Sequence, residues 1–257
     1  MATTLVKEVL YRVSAQLQDT NPQFSRWTQR ELVNWLNDGA RAIAKYLPSS
    51  CARVDAIKLA PGTKQSVAKI LSASIKPGDG SAAADVSASF VQAVARNMGV
   101  DGLTPGKAIR LLDRETLDAS EPDWHSTPGT PVMGWVYDPR FPKVFYVYPG
   151  VPAATPTWVE AALLADPLEL SQAGSYGMDG TDTTVVPIDD KNVDDLTNYI
   201  IGRAEMKDAE FAGEDQKASL HTAMFTASLN AQAAALTGLN PNLRGLPMNS
   251  NTPKRVA

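Results

Sequence analysis

The chain has 257 residues, 44% of them apolar and 20% charged, which is enough to bury the core of one large domain or two small ones. Its net charge of −4 argues against a protein that binds nucleic acid sequence-specifically. Its single cysteine excludes an intramolecular disulfide, and one cysteine with two histidines argues against a zinc site. No apolar run spans a bilayer and no signal peptide begins the chain, so we expect synthesis in the cytoplasm and no membrane partner.

Two helices are predicted in the first 47 residues. In the first, apolar residues repeat with the period of a helix face: Val6, Val9, Leu10, Val13 and Leu17. The second begins at a capping box, Thr28–Glu31, with Trp27 and Leu32 spaced as a hydrophobic staple. Pro48 ends it. We therefore expect a helical hairpin whose core contains Trp27, Leu32, Trp35, Leu36 and Ile43.

The middle of the chain favours β-structure. A strand is predicted over 54–59, closed by a turn at 61–63, and the Ala/Ser/Gly-rich segment 75–88 is expected to be an exposed loop. Further predicted strands cover 107–112 and 157–164, a strand or a short helix is predicted over 90–96, and a short acidic helical turn covers 113–117. The strongest β signal is a hairpin of 132–136 with 143–148 around a Pro-containing turn. The segment 171–184 is expected to be a loop.

Helix returns near the C-terminus. Asp189 and Asp190 favour a helix start, and Val193, Leu196, Ile200 and Ala204 form its apolar face. Gly213 marks a break before an alanine-rich helix with Leu220, Met224, Ala227 and Ala231 on one face. Small side chains there permit close helix approach within or between subunits. After Gly238 and Pro241, the sequence to Ala257 is not expected to order alone.

These patterns predict an α+β protein in which N- and C-terminal helices form a bundle and an antiparallel β domain is inserted between them. The bundle is expected to comprise residues 1–50 and 187–238, the β-rich domain residues 51–186, and an extended tail residues 239–257. Acids dominate 189–215, whereas 216–257 contains bases but no acid. An acidic solvated helix followed by a loose tail would explain this, and so would a surface that meets a partner in one orientation.

We find no catalytic motif, and expect no cofactor and no metal. Asp123 and His125 could form a general-base pair, but no recognisable nucleophile accompanies them, so a loop anchored by Trp124 is favoured over a hydrolase. The Asp pairs at 189/190 and 194/195 are typical of a helix start without metal. A carbohydrate- or protein-binding platform would use the hairpin aromatics, which more often belong to a β core: Trp135, Tyr137, Phe145, Tyr146 and Tyr148.

Several segments, in order along most of residues 5–230, resemble the head-to-tail adaptor family of tailed bacteriophages. They include Arg26–Gly39, Leu59–Gln65, Ala108–Glu115 and Asp118–His125. Tyr137–Arg140, Phe145–Pro149 and Lys207–Glu210 complete the set. The loop at 72–89 and the chain after Leu236 lie outside the resemblance.

The resemblance implies a ring of twelve copies in the virion neck, bound to the portal protein above and to a tail or tail-tube protein below. Genomic DNA would pass through without sequence-specific binding. In such a ring we expect some acids of the segment 189–215 to face the channel, with Asp189, Asp190, Asp194 and Asp195 as candidates. We expect the tail to dock on the portal through Arg244, Leu246, Met248, Lys254 and Arg255, in preference to a disordered terminus without a role. A different ring protein of the neck, such as a gatekeeper, is the alternative within the same class.

Overall fold

A computed structural model describes residues 3–19, 26–174, 176, 181–207 and 214–239. Within them the chain is α+β, as predicted, with five α-helices and two four-stranded sheets. The helices are α1 (Val6–Gln16), α2 (Gln29–Tyr46), α3 (Arg114–Ser120), α4 (Val193–Lys207) and α5 (Glu214–Leu239). All but α3 belong to the two ends of the chain.

The capping box predicted at the start of α2 is present. The Glu31 backbone N–H donates to the Thr28 hydroxyl (3.3 Å), and the Thr28 N–H donates to the Glu31 carboxylate (3.2 Å). The same carboxylate accepts a hydrogen bond from the Lys207 ammonium (2.6 Å), which holds the pKa of Glu31 below its ordinary value. The start of α2 is thereby connected to the end of α4.

Helices α1, α2, α4 and α5 share one apolar core. Gly39 lets α2 approach α4 closely, because a methyl group at that position would lie 2.6 Å from a Leu196 side-chain carbon. The predicted stripe of α1 is buried, apart from the partly buried Leu17. Among the fully buried side chains of this core are Leu10, Leu32, Leu36, Ile43, Leu196, Ile200 and Leu229.

The first sheet has the strand order β3-β1-β8-β4 and is antiparallel throughout. Its strands are β1 (Ala52–Lys58), β3 (Ile75–Pro77), β4 (Ala88–Asn97) and β8 (Trp158–Ala165). β1 follows α2 after a short 3-10 turn, and β8 leads back toward α4. The strand that leaves the helices is therefore hydrogen-bonded to the strand that returns, with Ala52 opposite Leu164.

The second sheet has the order β2-β7-β6-β5, built from β2 (Gly62–Ser66), β5 (Arg110–Leu111), β6 (Gly134–Tyr137) and β7 (Val144–Val151). β6 and β7 form the predicted antiparallel hairpin, and only β5 runs parallel to its neighbour. Residues of both sheets contribute to a second core, which includes Val91, Phe145, Val147 and Leu163. A small third cluster, around Leu117 and Trp124, packs against Tyr146 and Tyr148.

The β predictions need three corrections. β2 begins inside the turn predicted at 61–63 and continues to Ser66, with Thr63 and Gln65 buried and their neighbours exposed. The segment 75–88 is not wholly a loop, since it contains β3 and a bridge between Ile70 and Val86. The strand predicted over 107–112 is reduced to Arg110–Leu111 and an isolated bridge at Ala108.

Candidate functional site

One side of α5 packs against the other helices. Ala218, Phe225 and Leu229 recur at helical spacing and are buried, and the Phe225 ring contacts Tyr199 of α4 at 5.2 Å between centroids. Two polar contacts flank this seam. His221 is hydrogen-bonded to Asn198 (2.9 Å), and the Gln232 amide donates to the Asp195 carboxylate (2.8 Å).

The opposite side of α5 has no partner within the described part of the chain. Leu220 and Met224 are 58% and 48% exposed, and Ala227 and Ala231, which continue the same face, are also exposed. No Asp, Glu, Lys or Arg occurs after Lys217 in this helix. An uncharged helix face with exposed Leu and Met side chains is typical of a contact surface, so this face is the best candidate for contact with another molecule.

A shallow hollow lies beside α5, on a face different from that of Leu220 and Met224. It measures about 550 Å³ and is lined by Met206, Ala218, Ser219, Thr222, Ala223 and Thr226. Met206, at the end of α4, is 55% exposed. Its lining residues have small or flexible side chains without charge, so the hollow can accept an apolar side chain of a partner.

The four acids proposed for a channel have different environments. Asp195 is buried and bonded to Gln232, so it cannot face a channel, and the expectation does not hold for that residue. Asp190 is half-buried, and its carboxylate accepts hydrogen bonds from Thr3 and Thr4. Asp189 lies 3.6 Å from the Lys191 ammonium. Asp194 is the most open, with a side chain 94% exposed and 3.9 Å from Arg12.

The predicted hairpin core is largely buried. Trp27, Leu32, Leu36 and Ile43 are at most 4% exposed. Trp35 differs, because its side chain is only partly buried and packs against the rim of the core. The tail residues proposed to dock on a portal, from Arg244 to Arg255, lie outside the described residues.

The Asp123–His125 pair is not arranged as a catalytic dyad. The Nδ1 atom of His125 is hydrogen-bonded to the Thr63 hydroxyl (2.9 Å), and the ring stacks on Trp124 at 3.7 Å between centroids. Asp123 is exposed, and its backbone carbonyl accepts hydrogen bonds from Ser126 and Thr127. These contacts describe a loop anchored by the buried Trp124, whose indole N–H donates to Asp118.

The hairpin aromatics do not form one exposed platform. Trp135 and Phe145 are buried in the core shared by the two sheets. Tyr146 and Tyr148 lie in the cluster of Trp124, where the Tyr148 hydroxyl donates to Glu121 (2.5 Å). Among the described residues, no group of three or more His, Cys, Asp or Glu side chains is placed to hold a metal ion.

Two buried amides were missed by the sequence reasoning. Asn37 donates to the Leu170 carbonyl (3.0 Å) and accepts from the Leu170 N–H (2.9 Å), which connects α2 to the chain returning from β8. Asn97 does the same for Val132. A polar residue on an otherwise apolar helix face was the available signal for Asn37.

The chain was compared with known proteins. The family model described as SU10 adaptor protein matches residues 4–245, a range that contains all five helices and all eight strands. No curated protein matches the chain. In the part of the chain that the structure describes, no helix has the length and apolarity needed to cross a membrane.

Proposed function

The chain belongs to the SU10 adaptor protein family, and from this premise we propose that it is a structural protein of a tailed bacteriophage virion. Its place would be the neck, between the portal of the capsid and the tail. The match to the family model over nearly the whole chain is the observation that carries this proposal.

We propose that the protein works as a ring of identical subunits, twelve of them if the ring matches the portal as the sequence resemblance implies. The uncharged and unpartnered face of α5 supports self-association, because an exposed apolar face of this kind is costly in water. Each subunit would be a helical bundle (residues 1–50 and 187–238) carrying an inserted β domain (51–186). The adjacency of β1 and β8 supports that division, since the chain would enter and leave the β domain at one place.

The ring would extend the channel through which DNA passes. A net charge of −4 suits a surface along which phosphates slide rather than bind. Asp194 is the best remaining channel candidate, followed by Asp189 and Asp190, whereas Asp195 is excluded by burial. We do not expect sequence-specific DNA contacts.

The tail, residues 239–257, is proposed to dock on the portal. Its bases Arg244, Lys254 and Arg255 and its apolar residues Leu246 and Met248 would provide charged and apolar contacts. A segment with few apolar residues cannot bury enough surface to order itself, so it would order on its partner.

Electron microscopy of the full chain mixed with portal rings of the same phage tests the proposal. We expect an additional ring of density beneath the portal, coaxial with its channel, and no such density with portal alone. A chain that neither forms rings nor binds the portal at micromolar concentration would overturn the proposed function.

A further inference from the structure

Helix α5 presents two different uncharged surfaces outside its buried seam, one opposite the seam and one beside it. The first, here called the ridge, consists of Leu220, Met224, Ala227 and Ala231. The second, the hollow, is formed with Met206 of α4 and includes Ala223 and Thr226 of α5. At about 100° per residue, Met224 and Thr226 point about 160° apart around the helix axis, so these two residues face different directions, although the two surfaces adjoin where Ala223 lies one turn before Ala227.

The two surfaces are complementary. The ridge offers the protruding side chains of Leu220 and Met224, both about half exposed. The hollow offers small or flexible walls and space of about 550 Å³. Neither surface contains a charged residue, so each excludes a charged partner by the cost of desolvation and admits an uncharged one.

A second copy of this chain is the occupant that fits both surfaces. Contact between two different patches of identical subunits is head-to-tail, and repetition of such a contact closes into a ring when the rotation allows it. Contact of a ridge with another ridge would instead be two-fold and would stop at a dimer. A ring therefore needs the head-to-tail contact.

Resting on the proposed ring function, we propose that the Leu220–Met224 ridge of one subunit inserts into the Met206–Ala223 hollow of the next. One helix stripe is smaller than the roughly 800 Å² per partner of a stable interface, so this contact is one part of the ring interface. It gives the ring its direction, because every subunit contributes the ridge on one side and the hollow on the other.

Cysteine cross-linking of the full chain tests the contact. In a Cys51→Ser background, Met224→Cys places a thiol on the ridge and Met206→Cys places one in the hollow. With a short bis-maleimide reagent, alone or on portal rings, the double variant should give a ladder of cross-linked oligomers. An equimolar mixture of the two single variants should stop at linked pairs, and neither single variant should cross-link with itself.

Charge insertion gives an independent measurement. Ala227→Glu on the ridge should abolish rings in electron micrographs while the circular dichroism spectrum stays unchanged. Ala15→Glu is the matched control, because Ala15 is likewise an exposed alanine in a helix, α1, away from both surfaces. It should leave ring formation intact.

The outcomes separate this contact from the proposed function. Self-cross-linking of Met224→Cys alone would reveal a two-fold ridge contact and overturn the inference. Intact rings that give no ladder, or that tolerate Ala227→Glu, would place the interface elsewhere and also overturn it. If the unmodified chain forms no ring with or without portals, the proposed function itself fails.

Discussion

At the scale of single residues, two buried Asn side chains serve as hydrogen-bond partners of backbone peptide groups. Asn97 donates to the carbonyls of Lys107 and Val132 and accepts from the Val132 N–H, so one side chain bridges β4 to two other segments. Asn37 makes the corresponding pair of bonds with Leu170. Because buried peptide groups need partners, these side chains determine where the connecting segments lie.

The first prediction concerns Asn37. Asn37→Ala should lower the free energy of unfolding by about 2–4 kcal/mol, because each buried peptide group left unpaired costs about 1–3 kcal/mol. Asn34→Ala is the matched control, since Asn34 lies at a half-buried position of the same helix and its side-chain hydrogen bond to Gln172 is exposed to solvent. It should change the unfolding free energy by less than about 0.5 kcal/mol in urea titrations. Equal effects of the two changes would contradict the role given to Asn37.

The second prediction concerns Asp190 and acid. Its carboxylate accepts hydrogen bonds from the Thr3 hydroxyl (2.6 Å) and from the backbone N–H groups of Thr3 and Thr4, and these bonds hold its pKa well below the ordinary 3.8. A lowered acid pKa stabilises the folded state above the unfolded-state pKa, and this contribution is lost as the pH falls below it.

The N-terminal segment should therefore be held at neutral pH and released in strong acid. In Asp190→Asn, amide hydrogen exchange at Thr3, Thr4 and Val186 should be faster at pH 7, because Val186 donates to the Thr4 carbonyl. Asp194→Asn should leave that exchange unchanged, since the Asp194 side chain is almost fully exposed. Unchanged hydrogen exchange in Asp190→Asn would show that the β-bridge between Leu5 and Val185 is enough to hold the N-terminal segment in place.

At the scale of elements, α2 organises the helical part through three distinct faces. Leu32, Leu36 and Ile43 face the core, and Gly39 allows α4 to pack closely against α2. On a third side, the buried Asn37 and the exposed Arg41 hold the chain that returns from β8, and the Arg41 guanidinium lies 3.8 Å from Glu169. Helix α2 therefore connects α4 and α5 to the chain that follows the first sheet.

The third prediction compares two neighbours on α2. Leu36→Ala should cost about 2–5 kcal/mol, as deletion of a fully buried side chain does. Trp35→Ala should cost at most about 2 kcal/mol, less than expected for a core tryptophan, because only part of its surface leaves water on folding. Urea unfolding followed by circular dichroism measures both changes. A larger loss of unfolding free energy for Trp35→Ala than for Leu36→Ala would show that Trp35 is a central residue of the helical core.

At the scale of the whole molecule, the helical end of the chain divides into an acidic part and an uncharged part. Asp189 to Asp195 lie before and at the start of α4, whereas α5 has no charge after Lys217. Uncharged apolar faces associate, so this arrangement favours association through α5, with the exposed Asp194 left in solvent. The tail then starts from the end of α5.

The fourth prediction concerns the tail. Truncation after Thr237 should leave the unfolding free energy within about 1 kcal/mol of the parent, because no buried core residue of the described chain lies beyond Ala233. Portal binding in a sedimentation assay should be lost. Full binding by the truncated chain would assign the portal contact to another surface. Lys45→Ala, a substitution at an exposed position of α2, is the control and should leave portal binding intact.

Local patterns in the sequence were enough to predict most helices and the main hairpin. The capping box at Thr28 and the stripe of α1 are encoded by residues three or four apart, so short-range physics decides them. β2 was missed because Pro61 and Gly62 signal a turn, whereas pairing with β7 decided the outcome. Long-range pairing of this kind leaves little trace in a short window of sequence.

The sequence by itself determined the α+β class, the start of α2 and the family of the protein. Only the tertiary structure decided which of two similar residues, or which of two sides of one helix, became buried. Asp194 and Asp195 are neighbours of the same type, yet a helix turns adjacent residues about 100° apart, and Gln232 lies beside only one of them. Likewise, the alanine-rich α5 could have buried either apolar side, and the position of α4 decided that Phe225 is inside and Met224 outside.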